Sequence, residues 1–147
     1  MPSALPLQPV HAAVPRILLV DDDEFITISL RHYLRARGCR VETASGIDEA
    51  QVLFRTRTYD LVLVDPYMTG EAERDASAVL TTVGLLQPEA LLVVVSAYVT
   101  PHLSATAQRL DAVAVLSKPQ SVVFLSQLVM TATRTAANSM GQEVSQK

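Results

Sequence analysis

The 147-residue chain has no basic stripe. Its 12 Lys and Arg are scattered among 15 Asp and Glu, giving a net charge of −3, so the electrostatic footprint of a nucleic-acid binder is missing. It has one cysteine, Cys39, which excludes an internal disulfide and fits a reducing compartment. It has no long apolar run: the longest purely aliphatic stretch, Leu91 to Val95, falls far short of the roughly 20 residues that span a bilayer. Residues 1–15 lack a basic residue before their apolar letters, and prolines at 2, 6, 9 and 15 interrupt any signal-peptide core. His11, His32 and His102 show no ligand spacing, which argues against zinc. No internal repeat is visible. These absences lead us to expect a cytoplasmic protein that touches neither membrane nor nucleic acid directly.

What the chain does have is apolar content, 49% of it, enough for one real core. Short aliphatic runs punctuate it: Ile17 to Val20, Leu61 to Val64, Leu91 to Val95 and Val113 to Leu116, with a weaker run from Cys39 to Ala44. Most are apolar on both alternating faces, as strands of a parallel sheet covered on both sides must be. Helical patterns lie between them. Ile26, Leu30, Tyr33 and Leu34 form one stripe, ended by Gly38 where a left-handed residue is wanted. Ser45 with Asp48 resembles a capping box, Asp75 is placed to cap a third helix, Pro101 suits the first turn of a fourth, and Ser121 is placed to cap a fifth. The third helix would turn Ala76, Val79, Leu80 and Val83 inward, and the fifth Val122, Leu125, Leu128 and Val129. The pattern is βα repeated five times. Right-handed connections then give a doubly wound, three-layer α/β sandwich over residues 16–136, with flexible segments at 1–15 and 137–147.

In such a sheet, ligands bind beyond the carboxyl ends of the strands. There the sequence puts Asp21, Asp22, Asp23 and Glu24 after the first strand, Asp65 after the third, Ser96 after the fourth, and Ser117, Lys118 and Pro119 after the fifth. Taken singly, each has an ordinary reading as helix-terminal charge, turn residue or strand-end hydroxyl. Together they are the parts for phosphoryl transfer. Crowded carboxylates favour a hard cation such as Mg²⁺, one carboxylate can attack phosphorus, and an ammonium and a hydroxyl can meet the phosphate oxygens.

Ile17-Leu-Leu-Val-Asp-Asp-Asp-Glu24, Leu61-Val-Leu-Val-Asp65, Ser96-Ala97 and Lys118-Pro119, with the gaps between them, resemble the receiver domain of bacterial two-component response regulators over about Arg16 to Thr135. The resemblance implies a five-stranded parallel sheet in the order 2-1-3-4-5. It also implies that Asp65 is the phosphoacceptor, charged by a sensor histidine kinase or phosphotransfer protein. Asp22, Asp65 and the backbone carbonyl of Tyr67 would ligate Mg²⁺, with Asp21 holding metal-bound water. Lys118 would bind the phosphate, and Ser96 would swing toward it. Asp23 and Glu24 are left to the first turn of the helix.

The output surface would be the fourth helix, fifth strand and fifth helix, about Pro101 to Arg134, serving a downstream protein target or a homodimer. Such a chain is a phosphoacceptor that assists its own phosphorylation and dephosphorylation rather than an enzyme. The alternatives are a receiver-like scaffold that binds partners without phosphate, and a haloacid-dehalogenase-like phosphatase. The latter wants Thr or Val where Phe25 stands and leaves Asp65 unexplained.

Departures from the family are concentrated near Asp65. Pro66 follows it directly, Thr69 stands where Pro is common, and Gly70 to Asp75 replaces the usual opening of the third helix. Val115 occupies the place, three before the lysine, where the family often has an aromatic. Tyr98 is the candidate substitute. Tyr67 and Tyr98 would flank the phosphate and hinder the hydrolytic water.

Overall fold

The computed structural model describes residues 13–67 and 73–145, with side-chain environments for 13–67 and 76–139. Most of the expected N-terminal segment, His11, Thr69 and the opening of the loop from Gly70 lie outside the described residues. The elements alternate strictly: β1 (Arg16–Val20), α1 (Glu24–Ala36), β2 (Arg40–Ala44), α2 (Ile47–Phe54), β3 (Leu61–Val64), α3 (Glu73–Leu86), β4 (Leu91–Ser96), α4 (Pro101–Arg109), β5 (Ala114–Ser117) and α5 (Val122–Ser145). The strands form one sheet in the order β2-β1-β3-β4-β5, every pair parallel. The chain reverses its direction of growth between β1 and β3, which opens a crevice at their carboxyl ends.

The alternation of side chains along each strand sorts the core into two layers. Leu18, Val20, Val62, Val64, Leu92 and Val94 face one way, against Ala50 and Phe54 of α2, Ala76 and Leu80 of α3, and Leu103 and Ala107 of α4. Ile17, Leu19, Leu61, Leu63, Val93 and Val95 face the other way, against Leu30 and Leu34 of α1 and Leu125 and Val129 of α5. The three central strands are buried on both faces, which is why their sequences are unbroken runs of Val, Ile and Leu. The edge strand β5 is only half-buried, and Val113, read as its first residue, stays outside it and exposed.

Local signals set the boundaries. Gly38 has φ +92°; its N–H donates to Arg35 O and that of Cys39 to Leu34 O, the paired bonds that close a helix on a left-handed residue. Asp23 caps α1, its carboxylate accepting from the N–H groups of Phe25 and Ile26. Thr100 caps α4 ahead of Pro101, and Ser121 Oγ accepts from Phe124 N–H at 3.0 Å to open α5.

Several expected details differ. Gly46, not Ser45, precedes α2; Ser45 donates its N–H and hydroxyl to Glu49, because it stands one residue too early to cap and Asp48 is the wrong side chain to reach back. Helix α3 begins at Glu73, so Asp75 falls inside its first turn. Tyr33 turns to the surface under the Arg37 guanidinium, 5.5 Å from its ring centroid. Helix α5 continues to Ser145, through the stretch read as a tail from residue 137. Its inner face at residues 125–136 matches the sheet; Ala137, Asn138 and Ser139 are exposed where it runs past the amino-terminal edge of the strands.

Candidate functional site

Val20 and Val64 are register partners in the β1–β3 ladder. One residue later the ladder continues, with Asp65 N–H donating to Val20 O at 2.9 Å and Asp21 N–H donating to Ala44 O at 3.0 Å. The fold thus places two carboxylates side by side over the crevice, each on a backbone held by the sheet. On the far side, Ser96 ends β4 opposite Ser117, and Lys118 N–H donates to Ser96 O at 2.8 Å. The Lys118 side chain reaches back across the edge, its Nζ 2.8 Å from Asp21 Oδ2 and 2.8 Å from Asp65 Oδ2. The Lys118–Pro119 peptide is cis.

These groups are largely out of water: Asp21 is 4% exposed and Asp65 6%. Burial pushes the Asp21 carboxyl up; the Lys118 ammonium and the Asp23 N–H, which donates to Asp21 Oδ1 at 3.0 Å, pull against that, and the charge of Asp65 adds to it. Burial alone would lower the Lys118 ammonium, but its contacts with Asp21 and Asp65 outweigh it and raise the group above its ordinary value. A permanent cation therefore sits between two carboxylates that repel each other. Asp21 Oδ2 is buried and, beyond that ionic neighbour, has no well-formed hydrogen bond among the described residues.

Ser96 is fully buried, and its Oγ accepts from Tyr98 N–H at 3.0 Å. Tyr67 N–H donates to Asp65 Oδ1 at 3.0 Å. The rings of Tyr67 and Tyr98 meet edge to face, centroids 5.5 Å apart and planes at 72°. Asp22 is half-buried and lines, with Asp21, Glu24, Thr27, Arg31 and Glu49, a cleft of about 390 Å³ between α1 and the start of α2.

Of the residues read from sequence, Asp21, Asp65 and Lys118 are thus in direct contact; Asp22 lies beside them, and Ser96 ends the neighbouring strand, bonded to Tyr98. Val115 is half-buried against the layer of α2, α3 and α4. The sequence reading put Tyr67 and Tyr98 beside the site but not against each other. Each stands two positions after a strand-end polar residue, which is the only sequence signal of their meeting. The capping role of Asp23, hidden within an acidic run, was equally out of reach.

The donors at this edge are hard oxygens: the carboxylates of Asp21, Asp22 and Asp65, and the main chain at Tyr67. Among the described residues no three Asp, Glu, His or Cys side chains converge into an all-protein metal cage. Mg²⁺ does not require one, since it takes one or two carboxylates and fills its shell with water and phosphate oxygens. The adjacent carboxylates of Asp21 and Asp65, whose charges oppose each other, fit that ion.

The family model of the response regulator receiver domain matches residues 17–130. The alginate biosynthesis transcriptional regulatory protein AlgB of Pseudomonas aeruginosa is 32% identical over 106 residues, 72% of this chain and 23% of that protein. The chain thus spans about a quarter of that relative's length. Among solved structures, a CheY-like response regulator receiver domain protein of Methanospirillum hungatei superposes with a TM-score of 0.75 at 23% identity, over 86% of this chain and 99% of that one. A response regulator of Burkholderia pseudomallei, solved with a phosphorylated aspartic acid, a calcium ion and citrate, gives a TM-score of 0.68 at 25% identity, over 88% of this chain and 72% of that one.

Proposed function

Because the chain belongs to the response regulator receiver domain family, whose members work in phosphorylation-based signalling, we propose that it takes a phosphoryl group on Asp65 and answers by changing what binds it. The observation that carries this reading is the Lys118 ammonium held 2.8 Å from both Asp21 and Asp65 at the carboxyl edge of the sheet. A carboxylate so placed is a nucleophile with a phosphate-binding cation beside it.

An Asp65 oxygen attacks the phosphorus of a phosphohistidine on a sensor kinase or phosphotransfer protein. The new O–P bond forms as the P–N bond breaks, and the imidazole nitrogen leaves with the electron pair. Lys118 follows the phosphoryl oxygens, and the Ser96 hydroxyl turns to donate to one of them. The switch is reset by a separate step: water attacks phosphorus, the Asp65 O–P bond breaks with the carboxylate leaving, and inorganic phosphate is released, so the chain is consumed and restored as a switch rather than turning over a substrate. Asp22, Asp65 and the Tyr67 carbonyl would hold Mg²⁺, with Asp21 bonding its water. When bound, the ion supplies charge neutralisation for the transferring group. The Burkholderia protein, whose structure holds a phosphorylated aspartic acid and a calcium ion, supports this assignment.

Output would run through α4, β5 and α5. Val99 before α4, Val113 before β5 and Phe124 on α5 leave apolar surface exposed there for a protein target or a second copy. That the AlgB relative is a transcriptional regulatory protein supports a role in regulation rather than metabolism. No described helix is long and apolar enough to cross a membrane; a cytoplasmic location, and a receiver unit spanning 16–136, belong to the same proposal.

Incubation with acetyl phosphate tests it. The expected result is Mg²⁺-dependent gain of one phosphoryl group, detected by mass, that Asp65→Asn abolishes. Equal incorporation in the variant, or none in the parent, overturns the reading.

A further inference from the structure

Tyr67 and Tyr98 are built alike. Each follows a strand-end polar residue by two positions, and each donates its backbone N–H to that residue's side chain: Tyr67 to Asp65 Oδ1 and Tyr98 to Ser96 Oγ, both at 3.0 Å. The placement of each ring is therefore tied to one side chain of the acidic edge. The two rings then close on each other edge to face, 5.5 Å between centroids, a favoured aromatic geometry. The pair is asymmetric. Tyr98 is 66% exposed, whereas Tyr67 packs against the core layer with its hydroxyl buried and, among the described residues, without a hydrogen-bond partner. A buried hydroxyl lacking a partner is the unfavourable component of an otherwise well-packed contact.

From this we infer that the Tyr67–Tyr98 ring pair is a latch, closed while Asp65 is free, that couples phosphoryl occupancy at Asp65 and Ser96 to the position of α4. The inference rests on Asp65 being the phosphoacceptor. When Ser96 Oγ turns toward a phosphoryl oxygen, the bond from Tyr98 N–H must reorient. Only Val99 and Thr100 separate Tyr98 from Pro101, the first residue of α4, and Thr100 is locked to the helix by Leu103 N–H donating to its Oγ1 at 3.1 Å. Phosphorylation also alters Asp65 Oδ1, to which Tyr67 N–H donates. Both anchors of the ring pair therefore change in the same event. Opening frees the Tyr67 hydroxyl to find water, which offsets the lost ring contact and keeps the two arrangements close in free energy.

The chain has no Trp and four Tyr, so fluorotyrosine labelling of the full chain gives a short, assignable ¹⁹F spectrum. Beryllofluoride with Mg²⁺ serves as the phosphoryl mimic. On its addition the Tyr67 and Tyr98 resonances are expected to move together while those of Tyr33 and Tyr59 stay. Tyr98→Leu, which weakens the closed form, should tighten beryllofluoride binding about threefold and already place the Tyr67 resonance at its opened position. Tyr67→Phe, which removes the orphan hydroxyl and keeps the ring, should weaken binding by a similar factor, about threefold, since a ligand shifts an equilibrium only by its differential affinity. Backbone amide shifts of residues 102–109 of α4 should follow the latch in all three proteins. Beryllofluoride binding that leaves both resonances in place, or equal affinities in the three proteins, overturns the latch alone. Absence of any Mg²⁺-dependent beryllofluoride binding to the parent overturns the phosphoacceptor reading, and the latch with it.

Discussion

At the scale of single residues, the polar contacts away from the acidic edge hold the sheet's flank. Tyr59 hydroxyl donates to Glu42 Oε1 at 2.9 Å, Glu42 pairs with Arg57, and the buried Gln87 amide accepts from Tyr59 N–H at 3.0 Å while donating to Arg57 O at 2.9 Å. Burial, and after it the Glu42 carboxylate, push the Tyr59 phenol up from its ordinary 10.0 to about 12. A raised folded value means that the unfolded chain loses this proton first. The stability linked to Tyr59 is therefore complete below about pH 10 and is lost as pH climbs toward about 12. Ultraviolet titration of tyrosinate should show a step near pH 12 that is missing from Tyr59→Phe; a parent with no such late step would contradict it.

None of this network was legible in sequence, because Glu42, Arg57, Tyr59 and Gln87 carry no motif and meet only once β2, β3 and α3 are packed. The acidic edge was legible, because Asp21, Asp65, Ser96 and Lys118 sit directly after strands whose apolar runs announce themselves. Even so, the Lys118 bridge to two carboxylates depended on a side chain reaching across three strand ends, which spacing alone does not specify.

At the scale of elements, the termini show how acidic residues divide their labour. Asp21 faces Lys118 at the acidic edge, whereas Asp23, two positions on, satisfies the first N–H groups of α1. Asp23→Ala should lower stability to urea by about 1 kcal/mol, the usual weight of such a cap, and leave phosphoryl incorporation unchanged. Loss of incorporation in that variant would place Asp23 in the site instead. Helix starts were harder to read than strands. Ser45 and Asp75 are good capping residue types standing at wrong positions, because an N-cap is defined by where the backbone turns, and a one-residue shift in a loop leaves composition unchanged. Gly38 and Pro101 were read correctly because their backbone restrictions act locally, whatever the packing around them. The continuation of α5 beyond residue 137 was missed for the opposite reason: Asn138, Ser139 and Gln142 make the stretch polar, and polarity alone does not end a helix.

At the scale of the whole molecule, the carboxyl ends of β1, β3 and β5 converge on a charge cluster that the ammonium of Lys118 keeps tolerable. Removing it by Lys118→Met leaves the buried Asp21 and Asp65 facing each other with no counter-ion. We expect a stability loss on the order of 2 to 3 kcal/mol in metal-free buffer, below the cost of a fully buried broken pair because Lys118 is partly exposed. Mg²⁺ should restore more stability to this variant than it adds to the parent, since any species that binds only the folded chain stabilises it. Equal gains in the two proteins by chemical denaturation would mean that lysine and metal do not draw on the same carboxylates.

Helix α5 starts beside the acidic edge and finishes beyond the opposite rim of the sheet, so its far end points away from that edge. A dye, bead or sensor-chip linker fixed there would leave the reactive crevice facing the bulk solution, and the protein could be handled by that stem while partners approach from the other pole.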